Sequence, residues 1–78
     1  MPTILRIGRF RFFFYSGDRT EPVHVHVEAG NGVAKFWLNP VRLAGSRGMS
    51  RHELSRLQQL VLDHRGILVR AWHAYFDG

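Results

Sequence analysis

Two histidines alternate with valines in the segment from Pro22 to Glu28. Strict alternation is typical of a β-strand, whose successive side chains point to opposite faces. His24, His26 and Glu28 should therefore share one face, and three valines the other. Same-face neighbours on a strand stand about 6.6 to 7 Å apart. Imidazoles at that spacing could act on a phosphate as general base and general acid, or they could bind a metal ion.

Three interpretations of this face are open. In RNA cleavage, one histidine would take the 2′-OH proton and the other would protonate the leaving oxygen, without a metal. A metal ion would need a third ligand, and Glu28 lies about 13 to 14 Å from His24 along a straight strand, which is too far to close on one ion. The third interpretation is an ordinary polar strand face. We predict catalytic roles for His24 and His26, and no bound metal or cofactor.

Two hairpins are predicted in the first half of the chain. Residues 3–7 and 10–15 flank Gly8-Arg9, a pair typical of a type II′ turn, which would place Arg6 opposite Arg11. The histidine strand turns through residues 30–32 into a strand over residues 33–38. With Asn31-Gly32 as the central turn residues, His26 would pair with Trp37, and Glu28 with Lys35.

Two helices are predicted in the second half. Asn39-Pro40 ends the fourth strand, and residues 41–49 are predicted to be a connector. Ser50 followed by Glu53 is the signature of a capping box at a helix start, and a break at residues 64–66 separates a second amphipathic helix. The fold class is therefore α+β, with an antiparallel four-stranded sheet of two hairpins and two C-terminal helices packed on one face. We expect a single domain over residues 1–78.

Two short helices can cover one face of such a sheet, so the other face should be open. That face would interleave cations with flat aromatic rings, which suits single-stranded nucleic acid because bases stack and phosphates attract positive charge. The residues predicted to bind nucleic acid or a partner are Arg6, Arg11, Tyr15, Lys35 and Trp37.

Composition limits the classes of function. The chain has 78 residues, with 11 basic against 6 acidic side chains and a formal charge of +5, and all basic residues except Lys35 are arginine. Arginine favours phosphate or carboxylate partners, so RNA, DNA or an acidic protein is expected. Cysteine is absent, and no apolar run is long enough to span a membrane, so we expect a cytoplasmic protein without a membrane partner. No Walker loop or dinucleotide fingerprint is present.

Six segments carry a family resemblance: Met1 to Gly8, the Phe-rich strand ending in Tyr15-Ser16, Glu21 to Val27, Ala34 to Leu38, Ala71-Trp72 and Tyr75-Phe76. Together they resemble the small bacterial domain of unknown function family DUF4160. The resemblance implies a small stand-alone bacterial protein, often encoded beside another small protein in an arrangement like a toxin–antitoxin pair. The family signature falls on Pro22, His24 and His26, with Lys35 and Trp37 on the facing strand.

The leading hypothesis is a toxin–antitoxin-type module whose open sheet face binds RNA and could cleave it with His24 and His26. One alternative is a non-catalytic module that docks a small acidic partner protein encoded nearby. Another is a His-x-His metal-binding protein. A second copy of the chain could also cover the open face, because a small layered domain gains stability when its face is buried.

Overall fold

The computed structural model describes residues 3–77, so Met1, Pro2 and Gly78, including the Met1-Pro2 part of the family resemblance, lie outside the described residues. Five strands precede a pair of helices, and a short 3₁₀ segment, Ser16–Thr20, lies between the second and third strands. The strands are β1 (Thr3–Ile7), β2 (Phe10–Phe13), β3 (His24–Ala29), β4 (Gly32–Leu38) and β5 (Val41–Arg47), and the helices are α1 (Arg51–Asp63) and α2 (Arg65–Phe76).

The sheet is antiparallel with its strands in chain order, and the first hairpin has the predicted register. Ile7 pairs with Phe10 and Arg6 with Arg11. Gly8 has φ +57°, a value that side chains with a Cβ rarely adopt, so glycine fits the first central position of this turn.

The register predicted for the second hairpin is wrong by two residues. His26 pairs with Lys35 and His24 with Trp37, because the two-residue turn is Gly30-Asn31, with Gly30 at φ +57°. A glycine lies on each side of Asn31, so the sequence offers two candidate turns. A shift of two residues keeps every side chain on its predicted face.

A fifth strand replaces the predicted connector, so the sheet has five strands and not four. β5 pairs antiparallel with β4, with Trp37 opposite Arg42 and Val33 opposite Arg47, and a bulge interrupts the register between Lys35 and Phe36. The strand was missed because it is an exposed edge strand with little hydrophobic alternation. Its backbone bonds to β4 are what hold it in the sheet.

The two predicted helices and the capping box are confirmed. Ser50 Oγ accepts from the Glu53 amide at 3.0 Å, and Glu53 Oε1 accepts from the Ser50 amide at 3.0 Å. The helices cover the predicted face of the sheet, and the buried core is formed by Phe10, Phe12, Phe14, Val25, Val27, Ala29, Ala34, Phe36, Leu38, Leu57, Val61, Leu68, Trp72 and Phe76. Within residues 3–77, neither helix is long and apolar enough to cross a lipid bilayer.

Candidate functional site

An acidic residue from the loop before β3 lies against both histidines. Asp18 belongs to the 3₁₀ segment, and its side chain is buried, with a relative accessibility of 7% for the residue. The Tyr15 amide donates to Asp18 Oδ2 at 2.8 Å, which fixes the carboxylate over the start of β3. Local hydrogen bonding of this kind is typical of Asp in tight turns. The loop therefore supplies a positioned negative charge to the histidine strand.

His24 is fully buried, so the expectation that its ring lies on an open face is wrong. Its ring lies 5.6 Å from that of Trp37 and 5.0 Å from that of Trp72 in α2, measured between centroids. Nδ1 is 2.8 Å from the carbonyl oxygen of Pro22. Nε2 is 3.1 Å from Asp18 Oδ1, but the two atoms lack the angular geometry of a hydrogen bond.

His26 is the more accessible of the two histidines. Its Nε2 lies 3.0 Å from Asp18 Oδ2, and its side chain keeps 17% of its accessible surface. The ring stacks on Phe13 and meets the edge of Tyr15 at a centroid distance of 4.6 Å. The two imidazoles are 5.0 Å apart, so the structure does bring the predicted pair together.

Burial and hydrogen bonding shift the pKa in opposite directions, both for His26 and for Asp18. Desolvation lowers the pKa of His26 below its usual value, and the nearby Asp18 carboxylate offsets only part of that effect. Burial alone would raise the pKa of Asp18, yet this pKa lies below its usual value because hydrogen bonds from the Tyr15 amide and from His26 favour the carboxylate. The pair is therefore arranged as an ionised Asp18 beside a neutral His26 near neutral pH.

Two of the predicted binding cations are paired within the chain. Arg11 Nε donates to Glu28 Oε1 at 2.6 Å, so a carboxylate of the protein lies beside the Arg6–Arg11 pair, where an external anion was expected. Lys35 donates to Glu21 Oε1 at 2.5 Å.

Aromatic rings support these cations. The Lys35 ammonium lies over the ring of Trp37, 4.5 Å from its centroid. The Arg11 guanidinium lies 4.3 Å from the ring centroid of Phe13, which is itself buried. Cations held over aromatic faces gain a modest electrostatic stabilisation. Of the predicted binding aromatics, Tyr15 is exposed and Trp37 is partly buried.

β5 adds two arginines to the face of the sheet that the helices leave uncovered. Directly opposed residues share a face, so Arg42 joins Trp37 there and Arg47 joins Val33. A groove of about 350 Å³ crosses this face from β2 to β5. Its polar and aromatic lining includes Tyr15, His26, Lys35 and Arg47.

Comparison with protein families gives a match over residues 9–73 to the model described as Domain of unknown function (DUF4160). The chain belongs to the DUF4160 family. This match covers most of the chain and includes the histidine strand, the Asp18 loop, all of α1 and α2 as far as His73. No curated protein and no solved structure matches the sequence.

Three residues of this DUF4160 domain's candidate site were missed from sequence. Asp18 lies in none of the predicted strands or helices, and its contact with His24 and His26 depends on how the segment Ser16–Thr20 folds back over β3. An acidic residue shortly before a His-x-His strand is a usable signal, but a weak one. Arg42 and Arg47 were assigned to a solvated connector because β5 was not recognised.

Proposed function

We propose that this protein binds single-stranded RNA on the uncovered face of its sheet. We define the basic face as Arg6, Arg11, Tyr15, His26, Lys35, Trp37, Arg42 and Arg47. Cross-strand pairing relates Arg6 to Arg11, His26 to Lys35 and Trp37 to Arg42. Positive charge beside stacked or exposed rings is the arrangement that non-sequence-specific binders of single strands use.

The proposal rests on one observation, that Arg42 and Arg47 are not paired with a carboxylate of residues 3–77. The chain has six acidic side chains, and each already contacts another partner. Within residues 3–77, no carboxylate lies within 4.0 Å of either arginine. Two exposed guanidinium groups on one sheet face therefore remain available for phosphate, which they can contact with two parallel hydrogen bonds. The partners of the six carboxylates are His24 and His26 for Asp18, Lys35 for Glu21, Arg11 for Glu28, Arg9 for Glu53, Gln59 for Asp63 and His73 for Asp77.

The geometry supports binding more than cleavage by a histidine pair. A general base and a general acid must both reach the reacting phosphate group. His26 borders the groove, but His24 has no accessible surface and its Nδ1 is bonded to Pro22. The burial of His24 therefore argues against the two-histidine mechanism.

Fluorescence anisotropy with a labelled single-stranded RNA, in the presence of EDTA, tests the proposal. The variant R42A/R47A should bind at least about 10-fold more weakly than the unmodified chain, since each lost phosphate contact removes charge-assisted binding. The control R56A/R70A makes the same change of net charge on the helices, where both side chains are exposed. Equal losses in both variants would show that net charge alone attracts RNA and would contradict a site on this face.

A second candidate, an acidic partner protein, is favoured by the exposed edge of β5. Residues from Arg42 to Arg47 are all exposed, and the sheet order leaves one side of β5 without a neighbouring strand among the described residues. A partner strand could add to that edge, as edge strands commonly permit. The toxin–antitoxin arrangement implied by the family stays a prediction. Co-expression with the neighbouring small protein, followed by gel filtration with and without RNA, separates a stable heterodimer or a homodimer from an RNA complex.

A further inference from the structure

Three potential metal ligands converge at the start of β3. One ligand atom each from Asp18, His24 and His26 can be chosen so that all lie within 4.8 Å of one another. Asp18 Oδ1 is 3.1 Å from His24 Nε2, and Asp18 Oδ2 is 3.0 Å from His26 Nε2. Ligands bound at about 2.0 to 2.1 Å around a tetrahedral ion lie about 3.3 Å apart. The two distances from Asp18 are therefore already close to the ligand spacing around one ion.

The hydrogen bonding of His24 points to a ligand at its other nitrogen. The Pro22 carbonyl oxygen only accepts, so the proton of a neutral His24 ring is on Nδ1 and Nε2 carries a lone pair. That lone pair faces the Asp18 carboxylate without a hydrogen bond, and among the described residues His24 Nε2 is the buried side-chain polar atom that lacks a partner. Leaving a buried polar atom without a partner is destabilising, and a bound cation between the two acceptors would offset that cost.

The atoms around the cluster match the surroundings of known metal ligands. Metal-bound histidine usually donates its second ring N–H to a carbonyl or carboxylate, and His24 donates to Pro22 in this way. Asp18 Oδ2 is likewise fixed by the Tyr15 amide. Trp37 and Trp72 pack against the His24 ring, which limits its rotation. The ligands are thus oriented before any ion binds.

We propose that Asp18, His24 and His26 form a binding site for a divalent transition metal such as Zn²⁺. Two imidazoles and a carboxylate suit borderline ions of this kind better than Mg²⁺ or Ca²⁺, which prefer all-oxygen sites. The sequence predicted no metal because Glu28, the acid on the same strand face, lies too far from His24 to close on one ion. Three protein ligands leave a fourth position on a tetrahedral ion. Of the three ligands, His26 borders the groove on the uncovered face of the sheet.

Zn²⁺ binding to EDTA-treated, dialysed protein tests the proposal, without RNA and therefore independently of the proposed function. Competition with a chromophoric chelator should show one ion per chain, and binding should raise the melting temperature. D18N and H26Q keep the side-chain volume but remove a ligand, so each should weaken Zn²⁺ binding at least about 100-fold, the upper end of the loss that follows when only a hydrogen-bond partner of a ligand is removed. Circular dichroism would establish that both variants are folded. Neither variant changes the buried His24, so the test does not depend on a substitution in the core.

The matched control is His73, which forms an exposed pair with Asp77 at 2.6 Å outside the cluster. H73A should bind Zn²⁺ as the unmodified chain does. The proposal is overturned if no stoichiometric ion binds, if folded D18N and H26Q keep the original affinity, or if H73A alone loses it.

Discussion

The imidazole of His24 packs against the indole of Trp72, with the ring centroids 5.0 Å apart. One residue starts the histidine strand and the other lies in α2, so this contact joins the candidate site to the helical layer. Trp72 also meets Phe14 and Phe76 in the core. The position of His24 therefore depends on the packing of the last helix.

Replacing Trp72 should destabilise the whole domain. Truncation of a buried tryptophan costs about 3 to 5 kcal/mol, which is comparable with the net stability of a domain of this size. W72A should therefore be largely unfolded, whereas W72F should fold with a lower denaturation midpoint. Ile67, in the same helix but 46% exposed, is the control, and I67A should cost about 1 kcal/mol or less. Urea denaturation followed by circular dichroism measures all three variants. Equal losses for W72F and I67A would contradict the assigned packing.

The turn of the second hairpin gives a test of the corrected register. Gly30 has φ +57°, and a Cβ placed there would also meet Arg9 Nη2 at 3.3 Å. The left-handed conformation costs other residues about 1 to 2 kcal/mol, so G30A should lower the free energy of unfolding by about that amount. Gly45, in β5, has no atom within 4 Å of the Cβ position and no positive φ, so G45A should be neutral or slightly stabilising. If G30A were neutral, the turn would have to be centred elsewhere.

The parts of the fold that were predictable depend on local patterns. The register of the first hairpin follows from Gly8, which gives the turn a single candidate position. The start of α1 follows from Ser50 and Glu53, whose reciprocal hydrogen bonds need residues three positions apart. Alternation alone predicts which side chains of β3 share a face. This prediction holds although the predicted register of the second hairpin is wrong, because the register error is an even number of residues.

The parts that failed depend on contacts between distant residues. β5 is held by backbone bonds to β4 and buries little, so Arg42 and Arg47 carry no periodic signal. Asp18 reaches the histidines because the Ser16–Thr20 segment folds over the end of the sheet, and neither strand nor helix periodicity describes that segment. The burial of His24 likewise follows from the positions of Trp37 and Trp72 and not from its own strand.

The capping box predicts that part of the stability of the domain is lost at acidic pH. The Ser50 amide and the Arg9 guanidinium hold the pKa of Glu53 below its usual value of 4.5. A depressed folded-state pKa contributes stability that is present above the unfolded value and lost as the pH falls through the folded value. The contribution of Glu53 should therefore be complete at pH 7 and decline below about pH 4.5.

The variant E53Q should remove that component. Urea denaturation at pH 7 and pH 3 should show a smaller loss of stability on acidification for E53Q than for the unmodified chain. S50A is the companion variant, since it removes the other half of the capping box and should cost about 1 kcal/mol. An identical pH dependence in E53Q and the unmodified chain would mean that Glu53 titrates the same way in the folded and unfolded states.

The ion pair between Arg11 and Glu28 predicts that removing the charge of Glu28 increases RNA affinity. A variant that had lost its fold could not produce such an increase. Glu28 holds Arg11 at 2.6 Å and adds negative charge to the basic face. E28Q frees that guanidinium for phosphate, so anisotropy titrations should show affinity rising by about 3- to 10-fold at low salt, with a steeper dependence on salt concentration. D63N makes the same change of charge on α1, where Asp63 accepts from Gln59, and should alter affinity little. Unchanged or weaker binding by E28Q would place the RNA elsewhere on the molecule.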